Sequence, residues 1–104
     1  MADAIAGFDW DAGNRQKCRK HGVSVAEIEA LFQRTFAVRP DIGHSKSERR
    51  AIAIGSGKGG RKIFLVFTFR RRDGKTLIRP ISARYMHRKE IERFEKENPD
   101  LQIR

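Results

Sequence analysis

Three short stretches of this sequence carry side chains suited to chemistry on a phosphate. Lys20-His21-Gly22 is the first, His44-Ser45-Lys46-Ser47-Glu48-Arg49-Arg50 the second, and Leu77 to Glu90, with Arg79, Arg84 and Tyr85, the third. His21 falls in the last turn of an expected helix, where the negative end of the helix dipole favours a protonated imidazole. Such a histidine can give its proton to a leaving oxygen; equally, a residue there can do no more than satisfy helix-end carbonyls. Glu48 and Arg50 stand two apart at the mouth of an expected strand, so they share a side with Ile52 and Ile54. Either they pair with each other, or Glu48 takes a proton while Arg50 binds phosphate. Arginine is seldom buried without a partner, so Arg79 and Arg84 on an apolar strand point to a polyanion or a carboxylate. Their spacing of five puts them on opposite faces of a regular strand. Pro80 cannot donate a ladder hydrogen bond, however, and a bulge beside it would bring both to one side. Tyr85 can stack on a base or simply pack in the core.

The elements that must hold these groups follow from caps and periodicity. Phe8-Asp9-Trp10 reads as a short strand, and Asp11 as the N-cap of a helix from Ala12 to about Lys20, with Gly22 as its left-handed C′ residue. Ser24 and Glu27 form a capping box, with Val23 and Ile28 as a hydrophobic staple. They open a second helix whose apolar face is Val25, Ile28, Leu31 and Phe32 and which ends near Gln33. Arg39 to Gly43 reads as loop. Three strands are expected next: Arg50–Ile54, a central Ile63–Phe69, and Thr76–Ala83 after the Asp73-Gly74 hairpin signal. Gly55 to Gly60 is a flexible hairpin loop, and no Gly-Lys-Ser/Thr makes it a phosphate loop. His87 to about Glu97 is a helix with a thin apolar stripe of Ile91 and Phe94, stopped by Asn98-Pro99. The sum is one compact α+β domain over residues 1–104, an antiparallel sheet with two helices before it and one after.

Charge narrows the function classes. The chain of 104 residues carries a net +10, unevenly placed: residues 51–88 hold ten bases and one acid, whereas residues 1–13 hold three acids and no base. A basic middle is the footprint of a phosphate-backbone binder, although an acidic protein partner would suit it too. Arg70-Arg71-Arg72 reads as a solvated hairpin tip with a secondary part in attracting phosphate. The single Cys18 excludes an intrachain disulfide and a cysteine zinc cage, and His21, His44 and His87 are too scattered to argue a metal site. No cofactor is expected. Met1 to Ile5 lacks the basic start and apolar run of a signal peptide, and the longest apolar run, Ile63 to Phe67, is too short to span a bilayer. A cytoplasmic setting is the simplest expectation, with no membrane.

The motifs together resemble a known family. Phe8-Asp9-Trp10-Asp11, Lys20-His21-Gly22-Val23-Ser24, His44-Ser45 with Glu48 and Arg50, Ile54-Gly55 and Ile81-Ser82-Ala83-Arg84 are similar, in the same order from about Phe8 to Glu95, to the BrnT toxins of bacterial type II toxin–antitoxin systems. The resemblance implies a RelE-like fold, a ribonuclease that blocks translation, and a cognate BrnA-like, DNA-binding antitoxin with which the toxin forms a hetero-oligomer. The family's motifs map onto Lys20, His21 and Gly22, onto Glu48 and Arg50, and onto Ser82, Ala83 and Arg84. Metal-independent cleavage of RNA fits these residues, with the 2′-hydroxyl attacking the adjacent phosphate. Glu48 is then the base and His21 the acid, with Arg50, Arg79 and Arg84 on the phosphate and Lys17, Lys20 and Tyr85 binding RNA. The rival expectation is a non-catalytic RNA- or DNA-binding module that uses the same basic face.

Overall fold

The sheet is built outward from one hairpin. Asp73 and Gly74 both have positive φ (52° and 75°), the pair of left-handed residues that a tight type I′ turn requires. This turn joins two 11-residue strands, Lys62–Arg72 and Lys75–Tyr85. It also sets their register, from Arg72 opposite Lys75 to Thr68 opposite Arg79. The register then shifts: Phe67 faces Pro80, but Val66 faces Ser82, so Ile81 is an extra residue. A bulge of this kind reverses the inward–outward alternation beyond it. Arg79 and Arg84 therefore lie on the same face of the sheet, opposite Thr68 and Phe64 respectively.

The structure is a computed structural model, and it describes residues 5–34, 36–41 and 49–100. In chain order the elements are β1 (Ile5–Phe8), α1 (Ala12–Arg19), α2 (Val25–Leu31), β2 (Ala37–Pro40), β3 (Ala51–Ser56), β4 (Lys62–Arg72), β5 (Lys75–Tyr85) and α3 (Arg88–Glu97). The sheet order is β1-β5-β4-β3-β2, which places the apolar β4 at the centre as its composition requires. Four expectations need correction. Gly55, read as the start of a loop, belongs to β3. The sheet is mixed, because β1 runs parallel to β5 while every other pair is antiparallel. The first strand is Ile5–Phe8 rather than Phe8–Trp10. Arg39 and Pro40, read as loop, close a fifth strand on β3. Pro40 is tolerated there because β2 is an edge strand.

The helices form where their caps stand. Asp11 accepts from the Asn14 N–H (2.9 Å) while the Asn14 side chain accepts from the Asp11 N–H (2.7 Å). Ser24 and Glu27 make the same reciprocal pair at α2, each cap contributing on the order of 1 kcal/mol. Gly22, at φ +88°, turns the chain between the two helices. Asn14, buried beneath α1, donates its amide to the carbonyls of Asp9 (2.9 Å) and Pro80 (2.8 Å). It thereby caps the edge of β5 where β1, paired only as far as Ile78, has ended.

The sheet separates two apolar clusters. On one face Cys18, Val23, Ile28 and Leu31 of the α1–α2 layer cover Ala53, Ile63, Leu65 and Phe67. Burying each large aliphatic side chain contributes roughly 1.5–3 kcal/mol. On the other face the thin stripe of α3 supplies Phe94, which packs with Ile52 and Ile54. Alternation along β4 feeds both clusters, and for that reason its sequence is an almost unbroken apolar run.

Candidate active-site cleft

The α3 face of the sheet is apolar only near α3. Closer to the β4–β5 turn, its positions are Thr68, Arg70 and Arg79. Arg50 precedes Ala51, which pairs with Phe67, so it extends the same row toward β3. Arg50, Thr68 and Arg79 thus run across three strands, with Arg50 and Arg79 roughly 10 Å apart at two strand spacings. The capped start of α1 closes the end of this row. The result is a cleft of about 370 Å³ lined by Lys17, Arg50, Arg70 and Arg79, with Asp11, Gly13, Asn14, Pro80 and Ile81.

Four cations against one lining carboxylate would repel one another if nothing held them. Arg79 is clamped by Asp11 (2.8 Å) and Asp9 (3.4 Å), and Asp9 also meets Arg72 (3.3 Å). The Asn14 N–H and then Arg79 hold the Asp11 carboxyl below the usual carboxylate range. Both aspartates come from the β1–α1 connection, so the acidic start of the chain restrains and orients the basic cleft. Arg79 is fixed on a rigid strand with both terminal nitrogens turned to carboxylates, so a phosphate entering the cleft has to displace Asp9 or Asp11 to take those donors.

Of the eight residues singled out from sequence, the structure gathers three here: Lys17, Arg50 and Arg79. Lys20 and His21 lie exposed at the end of α1. Lys20 is the C-cap of the helix and His21 the first residue past it, three and four positions beyond Lys17. Glu48, like His44, lies outside the described residues. Arg84 shares the sheet face of Arg79 but is engaged in a two-pronged pair with Glu90, both N···O distances being 2.8 Å, and lies over the Phe64 ring at 4.5 Å. Glu90 also accepts from the His87 N–H and closes the capping box of α3. Arg84, then His87, hold its carboxyl down at about 2. For Arg84 to grip a phosphate, that phosphate has to compete with Glu90.

Tyr85 lies on the opposite face, in register with Ile63. Its hydroxyl is 2.8 and 2.7 Å from the two carboxylate oxygens of Glu27, to which it donates. The Arg61 guanidinium covers one side of its ring at 3.6 Å. Burial, then the Glu27 carboxylate, raise the Tyr85 phenol. Burial would raise Glu27 as well, but donors from the Lys58 N–H, Tyr85 and Ser24 outweigh it and leave that carboxyl lowered. Tyr85 and Glu27 therefore join α2, the Lys58 turn and the end of β5.

Sequence reading allowed Arg70 only a secondary part in attracting phosphate, as one of a hairpin tip, whereas the structure sets it in the cleft. The signal was present: a two-residue Asp73-Gly74 turn forces β4 to continue to Arg72, and counting back from it sets Arg70 diagonally beside Arg79. The restraint of Arg79 by Asp9 and Asp11 had no such signal, because it joins residues about seventy apart in sequence.

No curated protein matches the chain. One family profile does, over residues 10–90, and its description is the ribonuclease toxin BrnT of type II toxin–antitoxin systems. That span includes α1, α2, the whole β2–β5 run and the start of α3, and so every residue of the cleft. A basic cleft on a small α+β fold is what a protein that acts on RNA phosphates needs, and the chain belongs to the BrnT family of type II toxin–antitoxin ribonuclease toxins.

Proposed function

We propose that this chain is a metal-independent endoribonuclease that inhibits translation and is neutralised by a cognate antitoxin in a hetero-oligomer. The observation that carries the reading is the convergence of Lys17, Arg50, Arg70 and Arg79 from α1, β3, β4 and β5 on one cleft. Cations so placed stabilise the extra charge that a phosphate gains when a 2′-hydroxyl attacks it. Arg50 and Arg79 are the phosphate clamps, with Lys17 and Lys20 guiding the strand. Glu48, two residues before Arg50, takes the 2′-hydroxyl proton. His21, just past the end of α1, gives a proton to the departing 5′-oxygen. Arg84 adds a cation further along β5 when phosphate displaces Glu90. Tyr85 binds a base only where that base displaces Arg61 from its ring.

Such a reaction leaves a 2′,3′-cyclic phosphate and consumes no water in its first step. Purified protein should cleave RNA in EDTA and yield that end. Arg50→Ala and Arg79→Ala should each lower the cleavage rate by about a hundredfold, the usual cost of losing one donor to a developing oxyanion. Full dependence on added Mg²⁺, or undiminished cleavage by both variants, would sink the proposal. Salt-sensitive binding that leaves RNA intact would favour a non-catalytic binding module instead.

A further inference from the structure

Among the described residues Asp11 is the one carboxylate that lines the cleft, and it takes a donor that a phosphate would need. Its two oxygens have separate partners. Oδ1 accepts from the Asn14 N–H at 2.9 Å and so caps α1, while Oδ2 meets Nη2 of Arg79 at 2.8 Å. Asn14 is held in turn, because its side-chain amide donates to the carbonyls of Asp9 and Pro80. The network that ties α1 to β5 therefore also aims Asp11 at Arg79. Asp9, the second carboxylate on Arg79, is placed differently. It lines no part of the cleft, and its side chain is 12% exposed against 54% for Asp11. It is also shared between Arg79 (3.4 Å) and Arg72 (3.3 Å).

A phosphate can do different things to these two carboxylates. Displacing Asp9 would strip Arg72 as well as Arg79 and leave a nearly buried anion without its partners, which is strongly unfavourable. Displacing Asp11 breaks one exposed ion pair, and its carboxylate can turn toward water. It has to turn away, since two anions at contact distance on one guanidinium nitrogen repel each other. We propose that Asp11 is an internal stand-in for the RNA phosphate. It is a positioning residue that holds Arg79 in place in the free protein and gives way to the phosphate, while Asp9 stays and keeps the guanidinium fixed. The inference rests on the ribonuclease reading and adds to it the contact that a substrate must replace. It also bears on the class of ligand. A single small anion exchanges one ion pair for another, whereas a strand that reaches Lys17, Arg50 and Arg70 as well makes contacts that Asp11 does not satisfy.

The charge can be removed while the cap is kept, because Asn caps a helix as well as Asp does. The test uses the full chain, with binding of a 2′-deoxy oligonucleotide, which has phosphates but no hydroxyl to attack them, and cleavage kinetics on RNA of the same sequence. Asp11→Asn should bind the oligonucleotide about fivefold more tightly, the scale of one exposed ion pair, and lower KM for RNA with kcat within twofold of the parent. Asp9→Asn removes the same charge below the cleft; it should not tighten binding, and it should lower kcat severalfold as Arg79 loses its lasting anchor. Glu95→Gln, exposed on α3 and outside the cleft, gives the effect of one acid fewer and should change binding less than twofold. Asp11→Ser, also an N-cap, repeats the test, and thermal unfolding confirms that each variant folds. Equal tightening by Asp11→Asn, Asp9→Asn and Glu95→Gln would reduce the effect to net charge and overturn the inference. A hundredfold loss of kcat in Asp11→Asn with oligonucleotide binding unchanged would make Asp11 the base of the reaction and overturn it too. Unchanged binding by both Asp11 variants, with parent cleavage intact in EDTA, overturns the exchange and leaves the ribonuclease reading standing. A parent that leaves RNA whole overturns the ribonuclease reading, whereas tighter oligonucleotide binding by the Asp11 variants alone still upholds the exchange.

Discussion

At the residue scale, each arginine on β5 is tied to a carboxylate by a different device. Arg79 is held by two aspartates from a connecting segment, and Arg84 by a glutamate that also caps the next helix. The second arrangement has a pH signature. Glu90 sits at about 2 in the fold against an ordinary value of 4.5. Its pairing therefore stabilises the protein fully above pH 4.5 and loses that contribution as the pH falls toward 2. Glu90→Gln should cost about 1 kcal/mol at pH 7, since both partners of the pair are about one-third exposed to solvent. The deficit should shrink below pH 4.5 and be nearly gone at pH 2. Thermal unfolding of both proteins from pH 2 to 7 measures this, and a deficit constant across that range would disprove it. That Arg84 needed a partner was legible in its sequence position. The identity of that partner required knowing where α3 begins relative to β5.

At the element scale, the first two helices were legible from their caps alone, because Asp11 with Asn14 and Ser24 with Glu27 are local interactions three residues apart. How α2 rests on the sheet was not. Gly55 belongs to β3 rather than to a flexible loop, and a Cβ there would lie 2.9 Å from the Leu31 Cγ. Leu31 is fully buried and cannot swing aside. Gly55→Ala should destabilise the protein by about 1–3 kcal/mol through overpacking, read as a lower urea midpoint with an unchanged slope. A neutral result would mean that α2 slides on the sheet without cost. The edge strand β2 escaped the sequence reading for a related reason: Ala37-Val38-Arg39-Pro40 has little strand character of its own and pairs because β3 offers an open edge.

At the scale of the whole molecule, the net charge of +10 is distributed over a sheet with two different faces. One carries the basic cleft near its turn end, and the other an apolar trough lined by Ile5, Val38 and Phe69. RNA binding should therefore weaken steeply with salt, by roughly 0.7 in logarithmic slope for each phosphate neutralised on a single strand. Arg50→Ala combined with Arg70→Ala should reduce that slope by roughly 1.4. Titration of a non-cleavable RNA at several salt concentrations would show it, and an unchanged slope would place the RNA elsewhere. Substitutions in the trough should leave the slope as it is.

By itself, the sequence determined the helix caps, the Asp73-Gly74 turn, the central apolar strand, the basic middle of the chain and the resemblance that family membership bears out. Each of these depends on residues close together in the chain or on composition. Only the tertiary structure decided that β1 joins the sheet in parallel, that a bulge at Ile81 sets Arg79 and Arg84 on one face, and that Lys17, Arg50 and Arg70 meet Arg79 in one cleft. A single extra residue in a strand reverses every side chain beyond it, and contacts between residues tens of positions apart leave no local periodicity to read.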